Sequence, residues 1–142
     1  MIVDCYQDIR LPESFCDALS VILRRFKVPQ EAERLVLNCR DPNYYQSRMG
    51  LHPVEIQLKR DNDKSPWSIS FIASFSYKDD RHHSLDVELY FHLVNRWCYQ
   101  PDAGTADLAQ PEVLDLFYSW SAAFERHLTK HAFHDFQLSL IR

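Results

Sequence analysis

The sequence predicts an α+β domain, an antiparallel sheet of about five to six strands with two helices packed on one face, in the order α-β-β-β-β-β-α-β. Three observations predict it. Apolar residues recur with helical spacing in one segment near each end of the chain. Between those segments the apolar period falls to two, which gives each strand one dry and one wet face. The polar segments joining the strands, 60–66 and 78–84, are shorter than the dozen or so residues that a parallel crossover needs.

The first helix opens at Pro12, where the missing N–H costs nothing, and carries Phe15, Leu19, Ile22, Leu23 and Phe26 on one stripe. Arg24, Arg25 and Lys27 suit the negative end of its dipole, and Pro29 stops it. The first strand alternates through Leu35, Leu37 and Cys39, and the second through Val54, Ile56 and Leu58. In the third, Trp67, Ile69, Phe71, Ala73, Phe75 and Tyr77 share one face against a row of serines, with Ile72 out of phase. In the fourth, Leu85, Val87, Leu89 and Phe91 oppose Asp86, Glu88, Tyr90 and His92. A fifth strand at 96–100 follows a hairpin. The last helix opens at Pro111 and carries Val113, Leu116, Phe117, Trp120, Ala123, Phe124 and Leu128. A closing strand, 133–141, turns Phe136, Leu138 and Leu140 inward.

Residues 1–142 suffice for a single domain, and an apolar content of 46% supplies its core. A formal charge of −4 excludes a polybasic nucleic-acid binder, and no apolar run nears the roughly 18 residues a membrane span requires. Asp4, Asp8 and Arg10 interrupt any secretory leader, so a cytoplasmic location is expected. Cys5, Cys16, Cys39 and Cys98 form no CxxC pair and are expected as free thiols. Gly50 and Gly104, the two glycines, cannot build a phosphate-cradling loop.

The segments Asn38-Cys39-Arg40-Asp41-Pro42-Asn43-Tyr44 and Gly50-Leu51-His52-Pro53-Val54-Glu55-Ile56 resemble a bacterial family, domain-of-unknown-function family 2787. The likeness continues through Phe75-Ser76-Tyr77, Leu85-Asp86-Val87-Glu88, Phe117 and Phe136-Gln137-Leu138. Leu51, in place of an aromatic residue, and the histidine-rich tail depart from it. The resemblance implies a small intracellular protein of the kind often carried on mobile or phage-related DNA, and it lends no activity.

The connection from Asp41 to Pro53, thirteen residues long, is the most suggestive segment. It gathers Arg40, Asp41, Tyr44, Tyr45, Arg48 and His52 near Glu55, a set suited to an anionic or aromatic ligand or to a partner. The competing reading is that Asp41-Pro42 turns the chain and the tyrosines cover the sheet rim. His127, His131 and His134 have ligand-compatible spacing, but they equally suit a helix C-terminus, and no metal is favoured. Cys39 lies in phase with the core and not with a nucleophile paired to His52. The carboxylate pairs Asp79-Asp80 and Asp86/Glu88 read as solvated, so no catalytic residue and no cofactor is assigned. The wet sheet face, acidic and serine-rich, argues against nucleic acid. The expectation is a non-catalytic module that binds a protein partner or itself, the alternative being a small-ligand or metal-binding protein using the corner of Arg40, Asp41, His52 and Glu55.

Overall fold

A computed structural model, describing residues 1–79 and 81–141, traces β1 (Cys5–Tyr6), β2 (Ile9–Arg10), α1 (Glu13–Leu23), β3 (Arg34–Arg40), α2 (Pro42–Ser47) and β4 (Val54–Lys59). The chain continues through β5 (Ser68–Ser76), β6 (Asp86–His92), β7 (Trp97–Gln100), β8 (Gly104–Asp107), α3 (Pro111–Thr129) and β9 (Asp135–Leu140). The two amphipathic segments fold as their period dictates. α1 buries Phe15, Cys16, Leu19, Ile22 and Leu23, and α3 buries Val113, Phe117, Ser121, Phe124 and Leu128. Beneath them lie the inward residues Leu35, Leu37, Cys39, Ile56, Leu58, Ile69, Ile72, Phe91 and Cys98. Each fully buried aliphatic or phenyl side chain contributes about 1.5–3 kcal/mol, so this single layer carries the fold.

The main sheet is antiparallel throughout, with the order β8-β7-β6-β5-β4-β3-β9. Six strands form a meander, and β9 closes the far side against β3, so α3 must carry the chain from one edge of the sheet to the other. Its 19 residues span about 28 Å at 1.5 Å per residue. Six inter-strand spacings across the seven strands come to about 29 Å. The length of the helix thus matches the width it has to cross.

Three expectations need correction. The main sheet has seven strands, because β8 adds an edge strand, and β1 and β2 form a separate hairpin. The sequence of β8, Gly-Thr-Ala-Asp, has no apolar alternation to betray it; it is held by ladder hydrogen bonds to β7. The described residues contain three helices, the extra one being α2 inside the Asp41–Pro53 connection. Leu140, expected to face inward, is exposed near the end of the last edge strand.

The phase of β5 needs correction as well. Leu58 pairs with Ile69 but Gln57 pairs with Phe71, so β5 carries one extra residue, a β-bulge at Ser70. Beyond it the parity inverts. Ile72 and Ser74 turn inward, and Phe71 turns to the face that no helix covers. A second bulge follows on β6, where Leu89 pairs with Ser74 and Val87 with Phe75, leaving Glu88 unpaired between them.

Candidate functional site

The Arg-Asp-Pro segment acts first as a helix start. Asp41 caps α2, its Oδ1 accepting from the Asn43 amide at 3.1 Å, with Pro42 in the first turn where no donor is lost. Its Oδ2 reaches across the loop to accept from the Leu51 amide at 3.1 Å. Tyr44 is buried, its hydroxyl accepting from the Tyr77 amide at 3.0 Å and its ring lying 4.6 Å from that of His52. Arg48 ends α2 in the left-handed conformation and lays its guanidinium over the Tyr77 ring at 3.3 Å. It donates from Nη2 to the His82 carbonyl at 3.0 Å, while Nη1 is buried without a partner among the described residues. Tyr45 is exposed.

The sheet separates the remaining members of this corner. Arg40 and Glu55 belong to the uncovered face, where Asn38 is the cross-strand partner of Glu55 and Asp135 that of Arg40. Arg40 donates from Nη1 to Gln137 Oε1 at 3.2 Å. Burial pushes the Glu55 carboxyl up, partly opposed by the Arg40 charge. His52 lies on the helix side instead. Its Nδ1 is 2.8 Å from Oε1 and 3.0 Å from Oε2 of Glu88, and Ser74, itself buried, donates its hydroxyl to the same Oε1. The bulge at Glu88 turns this carboxylate toward Ser74. Nothing in the strict alternation of β6 signals it.

These three residues line a cavity of about 270 Å³ between α3 and the sheet, together with Leu51, Trp120, Phe124, His127 and Phe133. Trp120 stacks on Phe124 with centroids 5.2 Å apart, and Phe133 meets Phe124 edge-on at 5.7 Å. Burial, followed by the charges of Arg126 and Lys130, pushes the His127 imidazole down, which favours its neutral form. A wider groove of about 850 Å³ runs between the N-terminal segment and α1, with Asp4, Glu13 and Asp17 among its lining residues.

On the uncovered face the bulged register assembles a ladder of aromatic rings. Phe71 stacks on Tyr90 at 4.9 Å, Tyr90 on Trp97 at 4.9 Å, and His92 on Trp97 at 5.5 Å, with interplanar angles of 24°, 20° and 12°. Tyr90 is thus covered on both ring faces. Offset-parallel rings at these distances attract one another beyond the area they bury. Burial, helped by the Lys59 charge, lowers the His92 imidazole pKa. Alternation had placed Tyr90 and His92 on this face. Phe71 joins them because of the bulge, whose one local trace is Ile72 standing out of phase with its strand.

The other candidates lie apart. α3 ends at Thr129, so His131 lies beyond the helix with a positive φ and does not continue the face of His127. Among the described residues no three His, Cys, Asp or Glu side chains cluster in a way that would hold a metal ion. Cys39 is fully buried in the core, and desolvation pushes its thiol up. Asp79 accepts from the Arg81 amide at 2.8 Å and lies 2.7 Å from His82 Nδ1; Asp80 lies outside the described residues.

No curated protein matches the sequence significantly. Two solved structures share the fold. The hypothetical protein VC0508 from the Vibrio cholerae VSP-II pathogenicity island aligns with a TM-score of 0.79 and 21% identity, over 92% of this chain and 93% of that one. The conserved hypothetical protein VC1805, from pathogenicity island VPI-2 of Vibrio cholerae O1 biovar eltor, aligns with a TM-score of 0.78 and 24% identity, over 98% of this chain and 100% of that one. VC1805 is described as sharing structural homology with the human P32 protein. The model of a protein family of unknown function, DUF2787, matches residues 13–139, and the chain belongs to that family.

Proposed function

We propose that this protein is a non-catalytic interaction module that associates with a second copy of itself through the uncovered sheet face. The observation that carries the reading is the Phe71–Tyr90–Trp97–His92 ladder at the centre of a face over which no helix packs. Rings stacked on each other spend their faces internally and present edges outward. Edges suit contact with another protein surface better than the base stacking of an RNA platform, which needs free ring faces. Both charge signs border the ladder, Arg40 and Lys59 against Glu55 and Asp107, so a second copy meets complementary partners. Seven strands about 20 Å long offer a face on the order of 600 Å², the lower end of what each partner of a specific interface buries.

Arg40 and Glu55 fall within this surface. Tyr44, Tyr45 and Arg48 support its margin through α2 and Tyr77, and Asp41 holds that loop closed. The buried free thiols of Cys16, Cys39 and Cys98 favour a reducing, cytoplasmic setting. The pathogenicity-island origin of both solved relatives favours carriage on mobile DNA.

Sedimentation from roughly 1 to 500 μM tests the reading, with association expected in the micromolar range. The monomer-to-dimer shift should vanish in Trp97→Glu, with far-UV circular dichroism unchanged. A monomer throughout, or equal association of the variant, overturns it. Saturable binding of a single-stranded oligonucleotide that Trp97→Glu abolishes would replace it with a nucleic-acid reading.

A further inference from the structure

The cavity beneath α3 lies on the opposite side of the sheet from the aromatic ladder, and its chemistry is different. Among the described residues its lining includes one carboxylate, Glu88, and no lysine or arginine. Oε1 of Glu88 is engaged by both the Ser74 hydroxyl and His52 Nδ1, whereas among the described residues Oε2 meets only His52, at 3.0 Å. An ionised carboxylate accepts about four hydrogen bonds, so Oε2 retains a lone pair for one more donor. Ser74 and His52 fix the carboxylate in place, so a ligand need not order it on arrival. The rest of the lining includes Trp120, Phe124 and Phe133, an apolar surface for the body of a ligand. A cavity of about 270 Å³ falls just below the usual range for drug-sized ligands and so suits a smaller molecule.

We propose that this cavity binds a small organic ammonium ion, its cationic head on Glu88 Oε2 and its apolar body among Trp120, Phe124 and Phe133. A carboxylate held by Ser74 and His52 within an apolar pocket favours a cation over an isosteric alcohol, because the cation adds a full ion pair to a hydrogen bond that either can donate. Selection over an organic anion is stronger still, since like charges repel at short range in a partly desolvated site.

The test uses the whole chain with 2-phenylethylammonium as probe and 2-phenylethanol as its neutral counterpart, followed through the indole N–H signals of the three tryptophans. Trp120 lines the cavity, whereas Trp97 sits on the uncovered face and Trp67 in the groove beside α1. The ammonium should bind saturably and move the Trp120 signal alone, with the alcohol about tenfold weaker or worse. Glu88→Gln should weaken the ammonium by about tenfold and leave the alcohol unchanged. Ala123→Leu, which adds bulk to the cavity lining, should block both probes. Equal affinity for the two probes, a response at Trp97 in place of Trp120, or no saturation by the ammonium overturns the assignment. Because the two tryptophans report separately, the outcome is distinguishable from success or failure of the sheet-face reading.

Discussion

Asp41 and Gly50 are fitted to each other: the carboxylate that caps α2 occupies the space where a side chain at Gly50 would begin. Gly50 adopts a φ of +114°, a conformation that costs other residues free energy, and a Cβ there would collide with Asp41 Oδ2. The Asp41–Pro53 connection is therefore closed by one side chain acting at both of its ends.

Gly50→Ala should destabilise the fold by about 1–3 kcal/mol through backbone strain and collision. Asp41→Ala should cost about 0.5–2 kcal/mol from the lost cap, together with the unpaired Leu51 amide. In the double variant the collision is gone, so the two costs should sum to more than the measured total. Urea denaturation of the four proteins measures that coupling. Strict additivity would show that the carboxylate and the glycine do not interact.

Removing the centre of the aromatic ladder should weaken the monomer as well as its association. Tyr90 has two stacked partners, each worth about 0.5–1.5 kcal/mol, so Tyr90→Ala should cost on the order of 1–3 kcal/mol. Denaturation at a protein concentration low enough to hold the chain monomeric isolates this part of the effect.

Acidification should destabilise the protein through His92 and His127. Both imidazoles are pushed below their ordinary value of 6.5, burial being the larger cause in each. As pH falls through 6.5 the unfolded chain binds these protons before the folded one does. The contribution of these two histidines to stability therefore declines from that point down through the lower folded values, and it is flat above. Urea midpoints measured from about pH 7.5 to 5 should show this slope, and a His92→Gln/His127→Gln variant should reduce it.

Glu55 carries the opposite sign. Burial raises its carboxyl above the ordinary 4.5, so its contribution to stability is full below that value and lost as pH rises through the folded one. Glu55→Gln should therefore stabilise the protein at pH 7, and the gain should disappear under acid conditions. Paired melts at neutral and acid pH check the sign.

A thiol reagent should find one fast cysteine. Cys5 is exposed, whereas Cys16, Cys39 and Cys98 are buried. Burial pushes Cys16 up to about 11 and raises Cys39 and Cys98 as well. One thiol per chain should react in native buffer and the other three only on unfolding; a second fast thiol would show that the core opens locally.

By itself the sequence determined the helical stripes of α1 and α3, the alternation of β3, β4 and the end of β6, and so a one-sided antiparallel layer. These are local quantities: a stripe or an alternation depends only on where successive Cβ atoms point along one element. Asp41-Pro42 read as one possible turn of the chain, and in the structure Asp41 caps α2, a helix that the pattern did not predict. Tertiary structure alone decided the rest. Each bulge adds a residue to one strand and not to its neighbour, which inverts every later side chain, so Phe71 joined Tyr90 and Glu88 turned to Ser74. Arg40 and His52, close in sequence, fell on opposite faces, while His52 and Glu88 met across 36 residues. Strand parity is a sum over the whole pairing register, and one unpaired residue, traced locally in β5 by the out-of-phase Ile72 and in β6 by nothing, is enough to change it.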